Sequence, residues 1–172
     1  LPDGFHDLQF WPLGIEGADS WPFEERRSDR LLVVSPFLSF GCLNRMDNEG
    51  DNNVIISRSD SLESLSLQRL KHFSQFYSLN TGAEAEPDGE NATDIAPQSP
   101  LLGLHAKLYV VDQGWNSIVL TGSANATDAA FSRNVEFLTE LVGKKSRVGV
   151  EALLTKEKGQ LKFLDLLQEF TP

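Results

Sequence analysis

The sequence predicts an α/β fold, an α-β-α sandwich whose central mixed, mostly parallel sheet is flanked by helices. Three observations predict it. Two continuous apolar runs, Leu31-Leu-Val-Val-Ser35 and Val54-Ile-Ile-Ser57, read as strands covered on both faces. A later pair of apolar stretches, residues 104–111 and 118–120, reads as strand, turn and strand, and the second ends at Gly122-Ser123-Ala124-Asn125 where a helix begins. Helical and strand-like stretches alternate along the chain, as they do when helices cover a sheet.

The 172 residues are enough for one domain with a substantial core. The expected division is an N-terminal arm or linker over 1–30 and a single domain over 31–172. In the arm, Trp11-Pro12 and Trp21-Pro22 read as packing anchors in an otherwise turn-rich stretch. The start Leu1-Pro2 lacks a Met, as a piece cut from a longer protein would, and this weighs evenly against a complete chain that pairs with a second copy. No apolar run is long enough to span a bilayer. One cysteine, Cys42, excludes an internal disulfide and points to a reducing, cytoplasmic setting. The three histidines and one cysteine have no metal-site spacing, and neither metal nor cofactor is expected.

After the strand that ends at Pro36, residues 37–46 form a helix or looser turn and 47–53 a polar loop. Arg58 lies just past the second strand, where α/β proteins often place ligand contacts. It reads either as a phosphate contact or as an ion pair with Asp60 or Glu63. Residues 62–79 carry Leu62, Leu65, Leu70, Phe73, Phe76 and Tyr77 near helical spacing and predict a helix that includes His72. Residues 80–100 form an acidic loop, rich in Pro, Gly and Ala, expected to be mobile, with Glu84, Glu86, Asp88, Glu90 and Asp94 and no basic residue. Trp115-Asn116 sits in the turn between the two later strands. Thr127-Asp128 caps a short helix to Phe131, and 135–141 form a further strand. Lys144, Lys145 and Arg147 make a small basic cluster, read first as a solvated loop and second as a polyanion contact. Residues 157–170 predict an amphipathic helix.

The chemistry concentrates at His105-Ala-Lys107-Leu-Tyr-Val-Val-Asp112 and Gly122-Ser123-Ala124-Asn125. Alternate side chains share a strand face, so His105 and Lys107 point the same way, with Ala106 and Leu108 toward the core. An imidazole is a nucleophile near neutral pH, and an ammonium beside it binds anionic oxygens. The turn at Gly122, Ser123 and Asn125 adds a hydroxyl, an amide and helix-terminal N–H groups, all suited to an anion. Each residue alone has an ordinary reading. His105 and Lys107 would be a surface pair, Asp112 a turn former, Ser123 and Asn125 helix caps, and Glu136 a solvated strand residue.

The joint pattern H-x-K, the spaced Asp112, G-S-x-N and then Asn134-Val135-Glu136 resembles the phospholipase D superfamily, over roughly residues 103–143. The resemblance implies a metal-independent phosphodiesterase that works through a phosphohistidine. His105 would be the nucleophile or, by symmetry, the general acid. Lys107 and Asn125 would bind phosphate oxygens with help from Ser123, Glu136 would orient His105, and Asp112 and Gly122 would support the motif. The resemblance also implies two H-x-K sets facing each other, and this chain has one. The second would come from a homodimer partner or from an upstream half.

Three function classes follow. A nuclease acting on nucleic acid is preferred. A phospholipase-type lipid phosphodiesterase and a non-catalytic C-terminal half of a longer two-motif protein are the alternatives. The net charge of −10 does not decide between them. The first hundred residues hold seven basic and seventeen acidic residues, while from Leu101 onward eight balance eight. The half with the motif is neutral, and a local basic groove would suffice for a polyanion.

Overall fold

The computed structural model describes residues 1–16, 21–24, 27–47, 50–79, 104–155 and 163–172. Its framework is one eight-stranded sheet of order β1-β7-β6-β5-β2-β3-β4-β8. The strands are β1 (Phe5–Leu13), β2 (Arg30–Val34), β3 (Asn53–Ser57), β4 (Phe73–Leu79), β5 (Leu108–Gln113), β6 (Asn116–Gly122), β7 (Glu136–Lys144) and β8 (Leu167–Glu169). The helices are short: α1 (Phe40–Met46), α2 (Ser59–Glu63), α3 (Asp128–Ser132), α4 (Lys145–Val148) and α5 (Val150–Leu154).

The sheet is mixed, as the sequence predicts, but it is not mostly parallel. Only β2–β3 and β3–β4 run parallel. The other five pairings are antiparallel. The reason is connection length. β5 and β6 are joined by the two-residue turn Gly114-Trp115, which permits only antiparallel pairing, whereas parallel neighbours need a crossover. The two parallel pairs are the ones with helical crossovers between them, α1 for β2–β3 and α2 for β3–β4.

Both apolar runs sit in the middle of the sheet and are buried on both faces. Leu31, Val33 and Ile55 face one core layer with Tyr109, Val111, Ile118, Leu120 and Leu138. Leu32, Val34, Val54 and Ile56 face the other with Val110, Val119, Val150 and Leu154. Trp21 and Phe23 pack in the first layer against Phe131, with Phe23 also against Tyr109, so this part of the entry segment does anchor the core.

Three expected elements differ. Residues 5–13, assigned to an arm, form edge strand β1, paired with β7 from Phe5↔Gly143 to Leu13↔Glu136. An edge strand exposed on much of its surface has little apolar alternation to announce it, and Pro12 is tolerated there because only one side is paired. The helix expected over 62–79 is instead α2, a 3-10 turn at Leu67–Arg69 and strand β4. The run Phe73-Ser-Gln-Phe-Tyr-Ser-Leu79 is aromatic-rich, and the open edge of β3 supplies its backbone partners. His72 therefore lies in the loop before β4, its N–H donating to Asp47. In the expected C-terminal helix, residues 163–166 form a 3-10 turn and 167–169 become β8, antiparallel to β4. The acidic loop at 80–100 and the start of that helix lie outside the described residues.

Candidate active site

β5, β6 and β7 are consecutive antiparallel strands, so the start of β5, the end of β6 and the start of β7 meet at one end of the sheet. His105 and Lys107 lead into β5, Gly122 closes β6 and Glu136 opens β7. The Thr121 hydroxyl donates to the Lys107 carbonyl at 2.9 Å, locking the H-x-K segment to the end of β6. His105 is exposed, and its imidazole has no hydrogen-bond partner among the described residues. The Lys107 ammonium donates to the His105 carbonyl at 3.1 Å and so is held beside the imidazole's own backbone. Ala106, expected to face the core, is exposed because regular pairing begins only at Leu108.

Gly122 has to be a glycine for a reason that the structure makes plain. A Cβ there would lie 2.0 Å from the Phe137 carbonyl oxygen, well inside any permitted contact. The close approach lets the Ser123 N–H donate to the Phe137 carbonyl at 3.0 Å while the Phe137 N–H donates to Ser123 Oγ at 3.0 Å. The Ser123 hydroxyl proton goes to Glu136 Oε2. Glu136 Oε1 accepts from Asn134 Nδ2 at 3.3 Å. Glu136 is thus engaged by Ser123 and Asn134, not by His105 as expected.

Asn125 is half-buried, and its side-chain oxygen is buried without a hydrogen-bond partner. An amide carries an acceptor at one end and donors at the other. A phosphate oxygen, itself an acceptor, would be met by the donor end of this amide and not by its oxygen. Two of the expected helix-terminal N–H groups are already engaged within the chain. In α3 the Ala130 N–H is capped by Thr127, and the Asp128 N–H donates to Ser39 Oγ at 2.9 Å.

Asp112 lies at the far end of β5, seven residues and roughly 20 Å from His105. It is 5% exposed and accepts from Ser117 Oγ at 2.6 Å and from the Val150 N–H at 3.2 Å. Its place is structural. Arg58 forms a two-pronged ion pair with Asp60, at 2.7 and 3.1 Å, and its guanidinium lies over Phe37. Of its two readings the structure takes the ion pair.

Several supporting residues escaped the sequence reading. Tyr109 is fully buried and donates to the Ala124 carbonyl at 2.8 Å, fixing the middle of the Gly122–Asn125 turn. Burial, first, and the neighbouring Cys42 and Glu136 push its phenol pKa well up. Alternation along the strand was the available signal, since Tyr109 shares the face of His105 and Lys107. Ser35 Oγ accepts from the Ala126 N–H at 3.0 Å, and Ser57 Oγ donates to the Ser35 carbonyl at 2.6 Å. These bonds tie the ends of β2 and β3 to the turn, and nothing in the local sequence announces them. Among the described residues no group of three or more His, Cys, Asp or Glu is placed to hold a metal ion.

The family model described as "Cardiolipin synthase, PLD-like domain" matches residues 46–154, more than half of the chain. The chain belongs to the PLD-like family. No curated protein matches the sequence. Among solved structures, yeast tyrosyl-DNA phosphodiesterase 1, as its H432R mutant, aligns with TM-score 0.50 at 11% identity, over 78% of this chain and 31% of that one. This is a likeness of fold. NucT from Helicobacter pylori aligns with TM-score 0.49 at 17% identity, over 78% of this chain and 84% of its own. Nuc from Salmonella typhimurium, a phospholipase D family member, aligns with TM-score 0.49 at 14% identity, over 80% and 83%. The PLD-like assignment gives the motif residues a common frame, and in this chain all of them but Asp112 lie at one end of the sheet.

Proposed function

We propose that this PLD-like chain supplies one half-site of a metal-independent phosphodiesterase that hydrolyses nucleic-acid phosphodiester bonds. The observation that carries the reading is the convergence of His105, Lys107, Ser123, Asn125 and Glu136 at one sheet end, with the imidazole exposed and the Lys107 ammonium held at the His105 carbonyl. His105 attacks phosphorus and forms a P–N bond as the P–O bond to the leaving group breaks. A histidine of the second half protonates the leaving oxygen. Water then attacks the phosphohistidine, giving up its proton to that second histidine, and the P–N bond breaks to restore His105. Splitting one displacement into two lowers each barrier, and Lys107 and Asn125 offset charge on the phosphate oxygens. Glu136 acts through Ser123, holding the turn that carries Asn125.

The second half comes from another copy or from an upstream half. A specific surface supports its presence. Val135, just before β7, and Phe137, within it, flank Glu136 and are 74% and 48% exposed, and Phe10 of β1 lies against Phe137 at 5.5 Å and is 55% exposed. An apolar rim of this kind beside an incomplete site fits burial under a partner. The same rim favours a second reading, a lipid phosphodiesterase whose acyl chains lie on these side chains.

The test is cleavage of plasmid DNA, of a generic phosphodiester and of a phospholipid in excess EDTA, with His105→Ala alongside. Chelator-resistant DNA cleavage that disappears with His105→Ala supports the nuclease. Cleavage of phospholipid alone transfers the site to the second reading. Full activity in His105→Ala removes His105 from the chemistry.

A further inference from the structure

Trp115 is 92% exposed, at the tip of the β5–β6 turn. The other two tryptophans are committed to the fold: Trp21 is buried against Phe23 and Phe131, and Trp11 donates to Glu140. An exposed indole costs hydration free energy and gains nothing for the core. Its surroundings are basic. The Lys145 N–H donates to the Trp115 carbonyl at 3.0 Å, Asn116 pairs with Lys144, and Arg147 follows one turn later in α4. Asp29 is the acidic neighbour: its carboxylate accepts from the Gly114 N–H and lies 3.8 Å from the Lys145 ammonium, partly neutralising it. Lys144 and Arg147 are exposed and make no ion pair among the described residues.

We propose that Trp115 with Lys144 and Arg147 is an accessory site for single-stranded nucleic acid, separate from the reacting centre. The indole stacks on a base while the two cations hold the flanking phosphates. An exposed aromatic face on a basic surface is the combination that binds single strands without reading their sequence. β6 runs from Asn116 beside this site to Gly122 at the catalytic end, roughly 20 Å. Only a strand long enough to cover that distance engages both places. The proposal rests on the nucleic-acid reading above for its choice of ligand, and it is read out by binding, without cleavage.

The experiment compares the full chain with Trp115→Ala and with the pair Lys144→Gln and Arg147→Gln. Fluorescence anisotropy would follow fluorescein-labelled oligothymidylates of about 20 and about 2 nucleotides. Trp115→Ala should weaken binding of the longer strand by about 5- to 100-fold, and the Gln pair should weaken it and flatten its salt dependence. The longer strand should also shield tryptophan fluorescence from iodide in the parent protein but not in Trp115→Ala. Hydrolysis of bis(p-nitrophenyl) phosphate, too small to reach Trp115, should not change. If that hydrolysis is absent while Trp115-dependent binding persists, the chain by itself holds no complete catalytic site and the accessory site stands. Equal affinity of all three proteins for the longer strand overturns the proposal. So does loss of binding to anionic phosphatidylserine vesicles with no loss of oligonucleotide binding, which would make the turn a membrane contact.

Discussion

Replacing Asp112 should damage the fold and leave the chemistry intact. The carboxylate is buried and serves two buried donors, the Ser117 hydroxyl and the Val150 N–H, both on fully buried residues. Asp112→Ala leaves both without an acceptor. An orphaned buried donor costs about 1–3 kcal/mol, so the pair costs about 2–6 kcal/mol. For a chain of this size, about 3 kcal/mol lowers Tm by about 6–12 °C. Asp112→Asn keeps one oxygen acceptor and should cost about 1 kcal/mol. The assay is thermal and urea unfolding of both variants, with phosphodiester hydrolysis measured per folded molecule. Hydrolysis should stay within about threefold of the parent in the Asn variant, because the proposed reacting centre is at the other end of β5. If Asp112→Asn abolishes hydrolysis with no fall in Tm, the structural assignment is refuted and Asp112 belongs to the reacting centre.

Other outcomes follow from the same structure. Gly122→Ala drives a Cβ into the Phe137 carbonyl and should cost at least about 1–3 kcal/mol, visible as a lower urea midpoint, with the β6–β7 contact loosened. His105→Ala, at an exposed position, should shift stability by less than about 0.5 kcal/mol while removing activity, a separation that paired unfolding and cleavage assays read directly. Cys42 is 1% exposed and burial pushes its thiol pKa well up, so a maleimide should label it only after denaturation. The same shift sets a pH trend. Above the ordinary thiol value of 9.0 the unfolded chain loses a proton that the native chain keeps, so stability falls as pH rises. The slope reaches about 1.4 kcal/mol per pH unit for each such group, and Tyr109 adds a second one at higher pH. Urea midpoints at pH 8, 9 and 10 should fall in that order, and Cys42→Ala should flatten the first step.

What the sequence determined by itself was local and repeated. The apolar runs at 31–35 and 54–57 could only be covered on both faces, and they became the centre of the sheet. Thr127 announced its cap, and the spacing from His105 to Glu136 carried the family. Tertiary structure decided the rest, because backbone pairing across the sheet has no signature in a single segment. Edge strand β1 and strand β8 exist because β7 and β4 offered unpaired edges, which outweighed the irregular look of residues 5–13 and the helical spacing near 163–170. The same holds at the candidate site. Spacing brought His105, Lys107 and Asn125 onto one list, but Gly122 against the Phe137 carbonyl gave Glu136 to Ser123 instead of to His105. Asp112 and Glu136 look alike as carboxylates of one motif. Antiparallel pairing puts them at opposite ends of the sheet, one as a buried acceptor and the other bonded to Ser123 at the candidate site.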